Sequence, residues 1–192
     1  MRAEETACVV LASGLSQRFG ALDKLEAKLC DKSVLGHVFE TIEAVGFGEI
    51  FVLTQKQSEG RFTWVVNSSP EDGQGHALRL GLASARSAGW ETICVVLGDM
   101  PLVQTSHLQL LLGKLEGKSA VVSACKEQTM PPAIFREEAI DLILSDQSQS
   151  GARTILGQLK PVIVPICEEA ALDVDTPEDL IRVRRIMESR YT

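Results

Sequence analysis

Six short apolar runs, separated by segments of helical period, limit what this chain can fold into more than any other feature. They are Ala7 to Ala12, Ile50 to Leu53, Trp64 to Val66, Ile93 to Leu97, Ala120 to Ala124 and Val162 to Ile166. Each is strand-sized, rich in Val and Ile, and free of clean polar alternation, which suits strands covered on both faces. Between them, Leu35, Val38, Phe39 and Ile42 follow the i, i+3, i+4, i+7 spacing of an amphipathic helix, as do Leu108, Leu111, Leu112 and Leu115. Ser106 with Gln109 has the form of a capping box, and Thr176 before Pro177 sets a capping hydroxyl ahead of a proline at the first helical position. Strands alternating with helices predict a Rossmann-like, three-layer α/β/α domain with a mostly parallel sheet. The 192 residues suit a single domain over residues 1–192, burying about 70% of the surface of the unfolded chain.

Sheets of this kind bind ligands beyond the carboxyl ends of their strands, so the residues that follow the runs are the candidates for chemistry. The first run is followed by Leu11-Ala12-Ser13-Gly14-Leu15-Ser16-Gln17-Arg18-Phe19-Gly20, then Asp23 and Lys24. Two glycines permit left-handed backbone and close approach to a ligand, and free amides with two cations can cradle a polyphosphate. The spacing matches neither G-x-G-x-x-G nor a P-loop. An ordinary strand-to-helix turn with two solvated cations is the competing reading. The run ending at Leu97 delivers Gly98-Asp99-Met100-Pro101, where a carboxylate at a strand tip can hold Mg²⁺, an ion that uses one or two carboxylates and keeps several waters. A simple Asx turn would use the same residues. In Leu172-Asp173-Val174-Asp175-Thr176-Pro177-Glu178-Asp179, alternation sets Asp173 and Asp175 on one face of a strand ending, and either or both can complete the metal site. Asp179 suits the positive end of the helix that follows.

Composition narrows the partners. The formal charge is −7 and no dense Lys/Arg cluster exists, which argues against nucleic acid, since phosphate backbones are held largely by basic side chains. No segment approaches the roughly 20 apolar residues that span a bilayer, and the acidic start, Met1-Arg2-Ala3-Glu4-Glu5, is unlike a secretory leader. Five scattered cysteines without zinc or redox spacing suit free thiols in a reducing cytoplasm. His37 and His107 read as structural or solvated. His76 is read either as a substrate contact or as part of a helix start. Arg182, Arg184 and Arg185 complement the dipole of the last helix, with docking of a partner protein as the alternative.

Taken together, L-A-S-G-L-S-Q-R-F-G-x-x-D-K, G-Q-G-H-A-L-R-L-G-L, L-G-D-M-P-L-V, S-G-A-R and L-D-V-D-T-P-E-D-L resemble, in content and order, the molybdenum cofactor nucleotidyltransferases. The likeness runs from about residue 7 to about residue 186. It implies a nucleotidyltransferase domain that moves CMP or GMP from CTP or GTP to the terminal phosphate of molybdopterin and releases pyrophosphate. By position, Leu11, Ala12, Ser13 and Gly14 would hold base and triphosphate, with Arg18 and Lys24 near the phosphates. Asp99 would bind Mg²⁺, with Asp175 as its companion, Gln74 and Gly75 match a loop that closes over the nucleotide, and a protein docking at Arg182, Arg184 and Arg185 would be a molybdoenzyme or its chaperone.

Departures from the family pattern refine the expectation. Cytidylyltransferases usually carry Ala-Ala-Gly where this chain has Ala12-Ser13-Gly14, and guanylyltransferases Ala-Gly-Gly; a side chain at position 13 narrows the room for a purine, so CTP is expected over GTP. The segment Thr129-Met130-Pro131-Pro132-Ala133-Ile134-Phe135 lacks a preceding glycine, and Ser148-Gln149-Ser150-Gly151-Ala152-Arg153 lacks the usual Gly-Asp. Both would face the acceptor. A sugar-phosphate or methylerythritol-phosphate nucleotidyltransferase and a non-catalytic nucleotide sensor or delivery partner are the other readings. The absence of Pro-Lys-Gln after the glycine loop counts against the methylerythritol branch, and the presence of Lys24, Asp99 and Asp175 against the sensor.

Overall fold

A computed structural model describes residues 1–20, 23–146 and 157–190. All six apolar runs are strands. In chain order they and three further strands are β1 (Ala7–Leu11), β2 (Lys28–Leu29), β3 (Lys32–Ser33), β4 (Glu49–Thr54), β5 (Thr63–Val66), β6 (Thr92–Leu97), β7 (Ala120–Cys125), β8 (Gln128–Arg136) and β9 (Val162–Pro165). The helices are α1 (Val34–Val45), α2 (Gly73–Ser87), α3 (Thr105–Lys114), α4 (Glu137–Ser145) and α5 (Pro177–Arg190). Seven strands form one sheet in the order β5-β4-β1-β6-β8-β7-β9, and β2 and β3 make a separate antiparallel pair.

The sheet is mostly parallel. Neighbours β1–β4, β1–β6, β4–β5 and β7–β9 run parallel, whereas β8 is antiparallel to both β6 and β7. The nine-residue β8 is absent from the apolar pattern because Pro131 and Pro132 interrupt it, and a proline cannot donate to a ladder. The chain accommodates them by a register shift: Val122 opposes Ala133, but Ser123 opposes Met130. The buried Ser123 hydroxyl then donates to the Pro132 carbonyl at 2.6 Å and accepts from His107 Nε2 at 2.8 Å. His107 is thereby a structural group, and burial pushes its pKa down.

Alternation in β1 divides the core in two. Cys8 and Val10 pack on one side with α1 and α3, through Leu35, Val38, Ile42, Leu108, Leu111 and Leu112. Ala7 and Val9 pack on the other with α2 and α4, through Leu78, Leu82, Ala85, Ile140 and Ile143. These are the three predicted layers. A smaller cluster of Phe19, Leu29, Val34, Leu102, Val174 and Val183 fastens the glycine loop and α5 to the carboxyl edge of the sheet.

Some local expectations are corrected. The edge strand β5 is not covered on both faces, since Thr63 and Val66 are exposed. Helix α3 starts at Thr105, so Ser106 lies inside the first turn and forms no capping box. The stretch carrying Asp173 and Asp175 is not a strand; the Val174 amide donates to the Asp99 carbonyl at 2.9 Å and ties it to the tip of β6. At α5 the reading of Thr176 and Asp179 is met in reciprocal form: the Asp179 amide donates to Thr176 Oγ1 at 3.2 Å, while Asp179 Oδ2 accepts from the Thr176 amide at 2.9 Å. Against the push of burial, these bonds hold the Asp179 carboxyl below its usual pKa. Among the described residues, no helix is long and apolar enough to cross a membrane.

Candidate active site

The chain leaves β1 toward β4 on one side and later places β6 on the other, so the carboxyl end of β1 is a topological switch point where a crevice must open. A cavity of about 460 Å³ lies there, lined by the loop from Leu11 to Arg18 and by Lys24, Asn67, Gln74, Asp99 and Asp175 among others. Its frame is fixed by backbone bonds between strand tips: the Ala12 amide to the Leu53 carbonyl at 3.0 Å and the Gly98 amide to the Leu11 carbonyl at 2.9 Å. Glycine eases a close approach at 98, because a Cβ there would sit 3.1 Å from both Ala12 Cβ and Leu35 Cδ1 and push them by a few tenths of an ångström. That close approach brings Asp99 under the β1 loop.

On the β6 side the charged groups form one chain. Lys24 Nζ bonds Asp99 Oδ2 at 2.5 Å and Asp175 Oδ1 at 2.6 Å, and Arg18 reaches Asp175 Oδ2 at 3.0 Å. Lys24 is buried, whereas the Arg18 side chain is 76% exposed. Burial pulls the Lys24 ammonium down, but the two carboxylates outweigh it and hold its pKa above the usual value. Burial also dominates at Asp99, raising its carboxyl despite Lys24; the charges of Asp173 and Asp175 push the same way. The expected set Arg18, Lys24, Asp99 and Asp175 is therefore gathered in one place. Asp173 is exposed and lines a neighbouring groove instead.

On the β5 side the cavity lining is mainly polar and uncharged, with exposed Glu71 as the charged group. Ser13 is buried, and the amide of buried Asn67 donates to its Oγ at 2.9 Å. Gln55 Nε2 donates to the Gly14 carbonyl at 2.8 Å. Asn67 and Gln55 belong to no motif, but each directly follows a strand, so the strand-end rule that selects Asp99 selects them too. Gln74 and Gly75 are not in a loop: both lie in the first turn of α2, and Gln74, unlike Gly75, lines the cavity. His76 follows them in that turn. The Ser148–Arg153 segment lies outside the described residues.

The donor set suits a hard divalent cation. Asp99 Oδ1 is buried without a hydrogen-bond partner, and two carboxylates stand beside an open cavity sized for phosphates. Among the described residues no group of three or more His, Cys, Asp and Glu gathers for a metal. A closed zinc-type cage is thus not built, whereas an ion that completes its shell with phosphate oxygens and water fits.

Such a cleft, with an ionic chain at one end and amide and hydroxyl groups toward the other, on a switch point of a mostly parallel sheet, defines a nucleotide-handling α/β protein of the nucleotidyltransferase type. The chain belongs to the MobA-like NTP transferase domain family, whose sequence profile matches residues 8–162. It is 27% identical to the purine catabolism protein PucB of Bacillus subtilis strain 168, over 97% of this chain and all of that one. A probable molybdenum cofactor guanylyltransferase of Haloferax mediterranei is 22% identical over 75% of this chain and 71% of its own length. Among solved structures, Rv0371c of Mycobacterium tuberculosis H37Rv superposes with a TM-score of 0.80 at 23% identity, covering 96% of this chain and all of that one. The same protein in complex with manganese gives a TM-score of 0.74 at 19% identity, covering 94% and 98%. The fold is shared, and the chain is a nucleotidyltransferase of this family.

Proposed function

We propose that this protein transfers CMP from CTP to the terminal phosphate of a molybdopterin-type acceptor, with Mg²⁺, in the cytoplasm. The observation that carries the reading is the ionic chain Arg18–Asp175–Lys24–Asp99 at one end of a cleft that Ser13 also lines. An oxygen of the acceptor phosphate attacks the α-phosphorus of CTP, a new P–O bond forms, and the bond from that phosphorus to the α,β-bridging oxygen breaks, expelling pyrophosphate. The nucleophile is already an anion, so no strong general base is required. Lys24 and Arg18 offset the negative charge that crowds the reacting centre, and the loop amides from Ser13 onward orient the triphosphate. Asp99 and Asp175 would hold Mg²⁺, which when bound supplies Lewis-acid charge neutralisation for the phosphates.

A larger groove adjoins the cleft and shares Gln74 and Leu97 with it; its other walls include Met130, Pro131, Asp173 and Arg182. That neighbouring space suits an acceptor approaching the α-phosphate. Membership of the family supports the class of reaction, and a relative named as a probable molybdenum cofactor guanylyltransferase supports the class of acceptor. The buried Ser13 supports CTP over GTP.

The test is pyrophosphate release from purified protein with Mg²⁺ and molybdopterin, offered CTP or GTP separately, with Asp99→Ala alongside. Release with CTP alone, reduced about 10²- to 10³-fold in the variant, is expected. Release with GTP alone would overturn the base assignment, and none with either, from folded protein and intact acceptor, would overturn the acceptor or the enzymatic role.

A further inference from the structure

The side of the cleft beyond β5 contains a hydrogen-bond relay that leaves the Ser13 hydroxyl hydrogen with no acceptor among the described bonds. Asn67 follows β5 and is 1% exposed. Its backbone amide donates to the Thr54 carbonyl at 2.8 Å, fixing it to the end of β4. Its Oδ1 accepts from the Ser69 amide at 3.1 Å, a bond only the carbonyl oxygen of the side chain can make. The side-chain orientation is thereby set, and Nδ2 must donate to Ser13 Oγ at 2.9 Å. Ser13 Oγ consequently acts as acceptor toward Asn67, and its own hydrogen must go elsewhere. The described hydrogen bonds give it no acceptor, and Ser13 and Asn67 both line the cavity.

Asn67 lies beyond β5 and Asp99 beyond β6, three strand spacings apart in the sheet, or about 14 Å at roughly 4.8 Å per spacing. Ser13 follows β1, between the two, so with phosphates at the ionic end the base of a nucleoside triphosphate comes toward the Asn67 side and passes the Ser13 hydroxyl. Cytosine presents two adjacent acceptors there, N3 and O2. Guanine presents two donors beside a single acceptor, and is larger.

Resting on the nucleotide reading above, we infer that Asn67 is a positioning residue for base selection, which orients the Ser13 hydroxyl as a hydrogen-bond donor to the acceptor edge of the base. Gln55, bonded to the Gly14 carbonyl at 2.8 Å, holds the backbone of the same loop. One amide side chain thus fixes the loop and the other aims its hydroxyl.

Asn67→Asp keeps the size of the side chain and its acceptor for Ser69, but replaces the donor facing Ser13 by a second acceptor, so the Ser13 hydrogen is drawn to the carboxylate. Equilibrium binding of CTP with Mg²⁺, and of GTP with Mg²⁺, is measured by titration calorimetry without acceptor substrate on the wild type, Asn67→Asp, Ser13→Ala and the double variant; thermal melts confirm folding. The expected result is a loss of CTP affinity of about tenfold for Asn67→Asp in the Ser13 background, the worth of one hydrogen bond, and no more than about twofold on top of Ser13→Ala. Equal losses in both backgrounds would overturn the inference, because charge or direct base contact by Asn67 would then explain them. A wild type that binds GTP better would overturn the base assignment, with the coupling then read on GTP. Binding of neither nucleotide would overturn the nucleotide reading and this inference together.

Discussion

At Asp99 two opposing effects meet on one side chain. Burial favours its neutral form more than Lys24 favours the charged one, so its pKa lies above the ordinary aspartate value. A carboxylate that must be ionised to hold a cation then loses that capacity earlier on acidification. The acid limb of kcat/KM is expected at a pH above 3.8, and raising the Mg²⁺ concentration should move it back down, because metal competes with the proton. The sign is opposite for stability: the native state takes up this proton before the unfolded state does, so the cost of burying the charge shrinks as pH falls through the raised value. A pH–rate profile at two metal concentrations checks the first statement. A limb that stays fixed between them would assign it to another group. Asp99 is readable from sequence as a polar residue at a strand tip, but its partnership with Lys24 is not, since 75 residues separate them.

At the scale of elements, α2 lies against β1 and β4 at a distance set by one glycine. A Cβ at Gly81 would fall 2.5 Å from Val9 Cγ1 and 3.0 Å from Leu53 Cδ1, both in the packed core. Helix propensity alone would reward Gly→Ala by about 1 kcal/mol, yet overpacking costs about 1–3 kcal/mol, so Gly81→Ala is expected to destabilise. Gly113, near the end of α3, has nothing within 4 Å of the same added atom, and Gly113→Ala should stabilise by about 0.5–1 kcal/mol. Denaturant melts of the two variants check both signs, and a stabilising Gly81→Ala would mean that α2 can move off the sheet. Periodicity exposes α1, α3 and six strands because their burial follows a simple repeat. It hides β8, where two prolines break the ladder, and the stretch at Asp173–Asp175, whose alternation looks like a strand although it pairs in none and is tied to the β6 tip through the Val174 amide.

For the molecule as a whole, alternating strands and helices carry the layer order, and the switch point at β1 locates the cleft. What sequence cannot give is which distant side chains meet there: Asn67 with Ser13, or Arg18 with Asp175, are brought together only by the order of strands. The ionic chain in that cleft has a further consequence for how the protein meets its ligands. Two carboxylates and two cations already cancel one another, so on the proposed reading a magnesium–nucleotide complex would enter by exchanging partners, its phosphates taking Lys24 and Arg18 and its ion Asp99 and Asp175. Such an exchange replaces ion pairs by ion pairs and so gains fewer of them than docking an anion on a bare cationic surface, although the chain as a whole carries −7. Nucleotide affinity in saturating Mg²⁺ should therefore vary by less than about threefold between 0.05 and 0.3 M monovalent salt, where screening weakens an exposed ionic contact far more. A steep decline would mean that affinity rests on exposed Arg18 rather than on buried Lys24. A shallow one makes this site a closed circuit at rest, which metal and triphosphate open only as a pair.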